Sequence, residues 1–230
     1  MNKVLTFLFI LTGIAALAQD TLPRPVVDSL YREDQFYLGV TYNVPLNLPS
    51  GVSTRGLTGG IHFGFLRDMP INKQRNISIA VGLGIALDQY GQNLFIGESL
   101  KDETIFKVLD KDVDYSRNRF NTSIIEVPIE FRWRTSTLEK YAFWRVYPGF
   151  RVGYAFWYKS TFKQSGNNVN QTKIPEFNPL RLTATLSAGF SNFNLFAAYG
   201  INPFFDNAKT VDGEPFEFRS LKLGIVFFIL

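Results

Sequence analysis

"IIEVPIEFRWR", Ile124 to Arg134, is the stretch whose reading decides the fold. Ile125, Val127, Ile129, Phe131 and Trp133 take the odd positions, while Glu126, Glu130, Arg132 and Arg134 take four of the even ones. A period of two is the period of a β-strand, whose successive side chains point to opposite faces. One face of this strand is therefore an unbroken apolar comb, and the other carries four formal charges.

The alternation is not local. With this segment it recurs eight times, in "QFYLGVTYNV" (35–44), "LTGGIHFGF" (57–65), "ISIAVGLGIALD" (77–88), "RVYPGFRVGYAFWY" (145–158), "LRLTATLSAGF" (180–190), "FNLFAAYGIN" (193–202) and "LKLGIVFFIL" (221–230). Such repeated short runs predict an all-β protein. The connectors alternate too. Arg67–Asn76, Thr135–Trp144 and Ser191–Asn192 are compact, Gly91–Asn118 and Lys159–Pro179 are long and polar, and Pro45–Arg55 and Phe204–Pro215 are intermediate. Long and short connections take turns when strands run up and down and one set of ends carries the elaborate loops.

Composition agrees with interleaving. Aromatics are 16% of the 230 residues, with 23 Phe, yet mean hydropathy is close to zero. The net charge of +4 is mild, and Lys and Arg do not cluster as on a nucleic-acid face. "MNK", the apolar run Val4–Ala15 and the small residues of "ALA" (16–18) read as a signal peptide, with cleavage expected after Ala18. Residues 19–34 then form a periplasmic lead-in, and 35–230 the barrel domain. With no Cys there is no disulfide framework and no lipid anchor at the cleavage site. Beyond Ala18 no apolar run reaches the ~18 residues of a membrane helix, which leaves strands as the way to cross a membrane.

Side-chain size separates a membrane barrel from a soluble sandwich or a lipocalin-like barrel. The polar face of these strands is mostly Gly, Ala, Ser and Thr with a few charges, whereas the apolar face is Phe, Leu, Ile and Tyr. An eight-stranded barrel has an interior just wide enough to be filled by side chains, and a ring of large residues from every strand would overfill it. Turned outwards, those residues make the apolar band of an outer-membrane barrel, and the strands close so that no edge is left. Trp133, Tyr141 and Trp144 then form an aromatic girdle at the short-turn rim, and Phe156, Trp157 and Tyr158 one at the long-loop rim. The predicted fold is an eight-stranded antiparallel up-and-down transmembrane β-barrel in the outer membrane.

Charge sets the register. An Arg on the lipid face costs up to ~2–4 kcal/mol, so Glu126, Glu130, Arg132 and Arg134 face the lumen. Pairing through Thr135–Trp144 places residues whose numbers sum to about 279 opposite each other, with Arg151 across from Pro128, between Glu126 and Glu130, and Arg145 near Arg134. An internal ionic network of Glu126, Glu130, Arg132 and Arg151 is expected, with Arg181 and Lys222 as further members, because buried charges are tolerable only when paired.

"EVPIEFRWR" followed by "YPGFRVGYAF", behind a signal peptide and among eight such strands, resembles the PorT-like family of Bacteroidota outer-membrane barrels. In that family a Glu-x-Pro-hydrophobic strand precedes one with Gly-x-x-x-Gly, here Gly149 and Gly153. The resemblance covers most of the mature chain. It implies an outer-membrane barrel and, through the family's eponymous member, a non-enzymatic accessory role in type IX secretion and gliding.

Candidate chemistry is sparse. His62 is the one histidine, on the inward face at mid-strand, and reads as a lumen residue with a satisfied hydrogen bond rather than a catalytic base. Asp102, Glu103, Asp110, Asp112 and Asp114 match no EF-hand spacing and read as a solvated charged loop. No catalytic, cofactor or metal residue is assigned, and no small-molecule substrate. The expected partners are outer-membrane lipid and other envelope or secretion proteins, docked by loops or rims. A passive small pore or ligand-binding barrel is the alternative, and a barrel-embedded lipid-modifying enzyme the third reading.

Overall fold

The structure, a computed structural model, describes residues 34–99, 103–135 and 143–229. The signal peptide, the lead-in up to residue 33 and Tyr141 lie outside these described residues. Eleven strands form among them: β1 (Gln35–Leu46), β2 (Gly59–Pro70), β3 (Ile77–Gly91), β4 (Leu94–Glu98), β5 (Thr104–Val108), β6 (Arg117–Arg134), β7 (Trp144–Gln164), β8 (Asn167–Gln171), β9 (Leu180–Phe190), β10 (Phe193–Gly200) and β11 (Arg219–Ile229). Eight of them, in the order β6-β3-β2-β1-β11-β10-β9-β7, close through the β6–β7 pairing into one antiparallel barrel. Each of the eight alternating segments is one staff of that barrel. Closure pairs every backbone edge inside the wall, the condition for strands to cross a bilayer.

The register follows the charges. Glu126 lies opposite Gly153, Pro128 opposite Arg151 and Arg134 opposite Arg145, each pair summing to 279. Between Ser123 and Ile124 the register shifts, because Ser123 faces Trp157 while Ile124 faces Ala155. Phe156 is the extra residue of a β-bulge. The bulge lets Phe156 and Trp157, neighbours in sequence, both point outwards, at 58% and 43% exposure.

Alternation of exposure identifies the faces. Ile125, Val127, Ile129, Phe131 and Trp133 are exposed, while Glu126, Glu130, Arg132 and Arg134 are buried. The same comb appears on β1, where Phe36, Leu38, Val40 and Tyr42 face out. The short connections, including Ser191–Asn192, gather at one end, with the start of β1 and the end of β11. By the general asymmetry of outer-membrane barrels this is the periplasmic end.

At the other end the long connections are folded; Glu103, Asp110, Asp112 and Asp114 are exposed, as expected of solvated charge, and Asp102 lies outside the described residues, but the segment between Gly91 and Asn118 also carries strands and buried apolar residues. β4 and β5 pair as a hairpin, and Leu94, Ile96 and Phe106 from it are buried in a cluster with Phe177, Phe204, Phe205 and Phe216 from the other loops. Phe120, an inward residue of β6, and Phe218, just before β11, join them from below. The barrel mouth is thus roofed by an aromatic cap. Nothing in the local pattern announces β4, whose "LFIGE" is too short and too continuously apolar to show a period.

The lumen is also less small-residued than the strand patterns imply. Tyr37, Tyr90, Tyr147, Phe196 and Phe228 all point inwards and are buried. Tyr37 fits because glycines face it: a Cβ on Gly64 would lie 2.7 Å from the Tyr37 hydroxyl, and one on Gly84 would overlap it. Bulk on one staff is matched by its absence on another.

Candidate functional site

In the interior of the barrel buried charged groups converge, and they form three levels. Nearest the periplasm, Asp68 of β2 is fully buried between two arginines of β6. Arg134 Nη2 donates to Asp68 Oδ2 at 3.0 Å, Arg132 Nη1 to Oδ1 at 3.3 Å, and Ser78 Oγ to Oδ1 at 2.6 Å. Arg132 Nε also donates to Glu130 at 3.1 Å, and its guanidinium lies over the Tyr147 ring at 4.9 Å. Arg145 sits beside this level, its guanidinium 4.5 Å from the Phe143 centroid. Each cation here is held by carboxylates, aromatic faces or both, which is how burial of a charge becomes tolerable.

At mid-height Arg151 pairs with Glu126 across the β6–β7 seam, and the Tyr37 hydroxyl donates to the same carboxylate at 3.4 Å. The guanidinium is sandwiched by Phe196 at 5.0 Å and Tyr37 at 5.2 Å. A separate polar chain crosses β1, β3 and β11. Thr41 donates to Asn43 at 2.8 Å, Asn43 to Asp88 at 3.0 Å, and Lys222 pairs with Asp88.

Two expected members of the network are therefore placed differently. Lys222 meets Asp88 rather than a glutamate of β6. Arg181 meets no carboxylate among the described residues: it donates to the backbone carbonyls of Leu180 (2.7 Å), Asn178 (2.8 Å) and Pro203 (2.6 Å), and stacks on Phe204 at 4.6 Å. It ties the β9 wall to the cap, because its strand position brings it level with the loop carbonyls and above Glu126. Asp68 and Asp88 are members the sequence reading passed over. Both were legible by parity: Asp68 continues the inward even positions of β2, and Asp88 those of β3.

His62 is buried against Phe196 (4.6 Å between centroids) and Tyr37 (5.9 Å). Its Nε2 has no hydrogen-bond partner among the described residues, a correction to the expected satisfied bond. Ring packing holds it instead. Of the girdle residues, Trp133, Trp144, Phe156 and Trp157 are exposed on the outer wall. Tyr158 is not: beyond the bulge its position points inwards, its ring lies 4.0 Å from Phe177, and its hydroxyl accepts from the Ile174 backbone at 3.4 Å.

Little space is left. A cavity of about 30 Å³ lies between Glu126, Arg151, His62, Arg181, Lys222 and Phe204, room for about two waters. Above it the cap core is packed ring on ring: Tyr90 meets Phe204 and Phe218 edge-on at 5.3 and 5.2 Å, and Phe106 meets Phe205 and Phe216 at 5.2 Å each. This arrangement fills the lumen with paired charge and packed rings, and the cavity it leaves among them is the small one below the cap.

The family match agrees with this architecture. Residues 17–206 match the family described as outer membrane protein beta-barrel domain. No curated protein matches the chain. Among solved structures, the chain is similar to Ail, the attachment invasion locus protein of Yersinia pestis, at 14% identity and a TM-score of 0.38, over 87% of this chain and 100% of that one.

Proposed function

Starting from the fact that the chain belongs to the outer membrane protein β-barrel domain family, we propose that it is a non-conducting, non-enzymatic barrel that acts as an accessory component of envelope protein secretion. Its work is docking: the folded extracellular cap and the rims present fixed surfaces to other envelope proteins. The observation that carries this reading is the filled lumen, ionic below and aromatic above, with a cavity of about 30 Å³. A barrel of eight strands has no aqueous channel to offer, and here its loops are spent on a packed cap. Support for the finer assignment, a type IX secretion role, is the resemblance of "EVPIEFRWR" and "YPGFRVGYAF" to PorT-like barrels. The chain reaches this membrane by a leader cleaved after Ala18.

Two measurements test the proposal. Reconstituted in planar bilayers, the protein should give no steady ion-sized conductance; regular channel steps would replace the docking role by a pore. Cross-linked from native outer membranes, it should bring down secretion components. A deletion strain that exports the secretion cargo normally would remove the secretion assignment while leaving the closed barrel intact.

A further inference from the structure

Two depressions adjoin on the outer wall where β1, β2, β3, β6 and β7 meet the extracellular rim. The lower, of about 780 Å³, is apolar: Val40, Tyr42, Ile61, Leu87 and Trp157 stand around the bare Gly59. The upper, of about 550 Å³, is lined by Arg55, Arg117, Arg119 and Tyr115. Leu57 and Gln89 border both, so the two are continuous. Parity places Arg117 and Arg119 on the outer face of β6, in line with Asn121 and Ser123 below them. Lys159 and Lys163 of β7 lie opposite Asn121 and Arg117 in the ladder.

The arginines of this sector differ from other outward-facing ones: Arg67 is paired with Asp34 and Arg219 with Glu217, whereas, among the described residues, no carboxylate stands with Arg55, Arg117 and Arg119 in the lining of the upper depression. The sector's one acidic lining residue, Asp88, faces inwards and is occupied by Lys222 and Asn43. The arginines are positioned: Arg119 Nη1 donates to Gln89 Oε1 at 2.9 Å, Gln89 Nε2 is spent on the Leu57 carbonyl at 3.0 Å, and Arg55 is braced over the Tyr115 ring at 4.5 Å. Arg119 Nε has no partner among the described residues. Arginine pairs with phosphate through forked, charge-assisted hydrogen bonds, and basic pockets at the membrane interface select anionic headgroups. Below the cations, a concave apolar wall flanked by Trp157 and Tyr42 suits a chain running down into the bilayer, with the aromatic rings at headgroup level.

We propose that this continuous depression is a docking site for a phosphorylated lipid of the outer leaflet, its phosphate between Arg55, Arg117 and Arg119 and one acyl chain against Gly59 and Trp157. The charge complementarity and the order of the parts, cationic at the rim and apolar within the bilayer, match an amphipathic anion and no neutral lipid. Lipid binding here does not require the proposed secretion role, since it rests on the residues of the outer wall and rim alone.

The test uses the full-length protein in phosphatidylcholine nanodiscs doped with bisphosphorylated lipid A or with its dephosphorylated form, and reads lipid retained after exchange. Retention of the phosphorylated form should exceed that of the dephosphorylated form at least tenfold and fall with salt. R55Q/R117Q/R119Q should abolish the difference, and Ser123→Trp, which fills the lower depression without touching charge, should weaken retention of the phosphorylated form. Both variants must keep the heat-modifiable gel mobility of the folded barrel. Equal retention of the two lipids, an unchanged triple variant, or displacement of lipid A by millimolar inorganic phosphate would each overturn the assignment.

Discussion

Asp68→Ala is the perturbation to which the ionic reading of the lumen is most exposed. Asp68 is fully buried and accepts from Arg134 at 3.0 Å, Arg132 at 3.3 Å and Ser78 at 2.6 Å. Removing it strips Arg134 of this carboxylate and leaves Arg132 with Glu130, in a level that also holds Arg145. Breaking one buried pair from one side costs about 3–5 kcal/mol, because the remaining charge stays desolvated; the stranded Ser78 hydroxyl adds about 1 kcal/mol. With an m-value near 2 kcal/mol/M, the urea midpoint should fall by about 2–3 M. The assay is reversible urea unfolding in phospholipid vesicles, followed by tryptophan fluorescence and by the gel mobility of unheated samples. Asp68→Leu combined with Arg134→Met should recover at least half the loss, since an apolar pair can replace a buried ion pair at little cost. A loss below about 0.5 kcal/mol for Asp68→Ala, or a double variant no better than the sum of its singles, would refute the claim that paired charge holds this level together.

Other expectations follow from particular contacts. Gly84→Ala should destabilise by about 1–3 kcal/mol through overpacking, and Tyr37→Phe should restore part of it, because the added methyl meets the Tyr37 hydroxyl. Gly82→Ala should show no such rescue, since its methyl meets the Phe65 carbonyl, which is backbone; equal rescue of both in urea titrations would contradict the packing. Phe205→Ala, removing a buried ring that touches Phe106, Phe120 and Phe177, should loosen the cap by about 3–5 kcal/mol. Added protease should then cut the long loops of vesicle-bound protein while the strands stay protected. His62→Leu should be neutral or stabilising in the same urea assay, because its unpartnered Nε2 is buried among aromatic rings. Single-tryptophan variants retaining Trp133, Trp144 or Trp157 should be quenched by brominated lipid, more strongly near the headgroups than at the chain ends.

The barrel itself was legible because its determinant is one-dimensional. Period-two alternation, large residues out and small or charged residues in, names the strands. The cost of a charge in lipid then fixes which parity faces the lumen, and turn length supplies the register that sets Pro128 opposite Arg151. The same parity brings in Asp88, which closes the run "ISIAVGLGIALD", and, carried three residues past "LTGGIHFGF", Asp68. Tyr158 was misplaced because a bulge inserts one residue and inverts every side chain beyond it, and nothing in "GYAFWYKS" marks where that residue is inserted.

Partner choice within the lumen and the fate of the loops were decided only in three dimensions. Whether Lys222 reaches Glu126 or Asp88, and whether Arg181 finds a carboxylate or three carbonyls, depends on the closing seam between β11 and β1 and on the height of each residue along a tilted staff. Alternation reports a residue's face and not its level. The cap is the stronger case: Phe106, Phe177, Phe205 and Phe216 come from loops with no period, and they find one another only because closure brings their anchoring strands around a single mouth. The sequence by itself determined a closed wall with its solvents assigned. Tertiary structure decided that the wall encloses almost nothing, because what fills a barrel is a sum over all its staves.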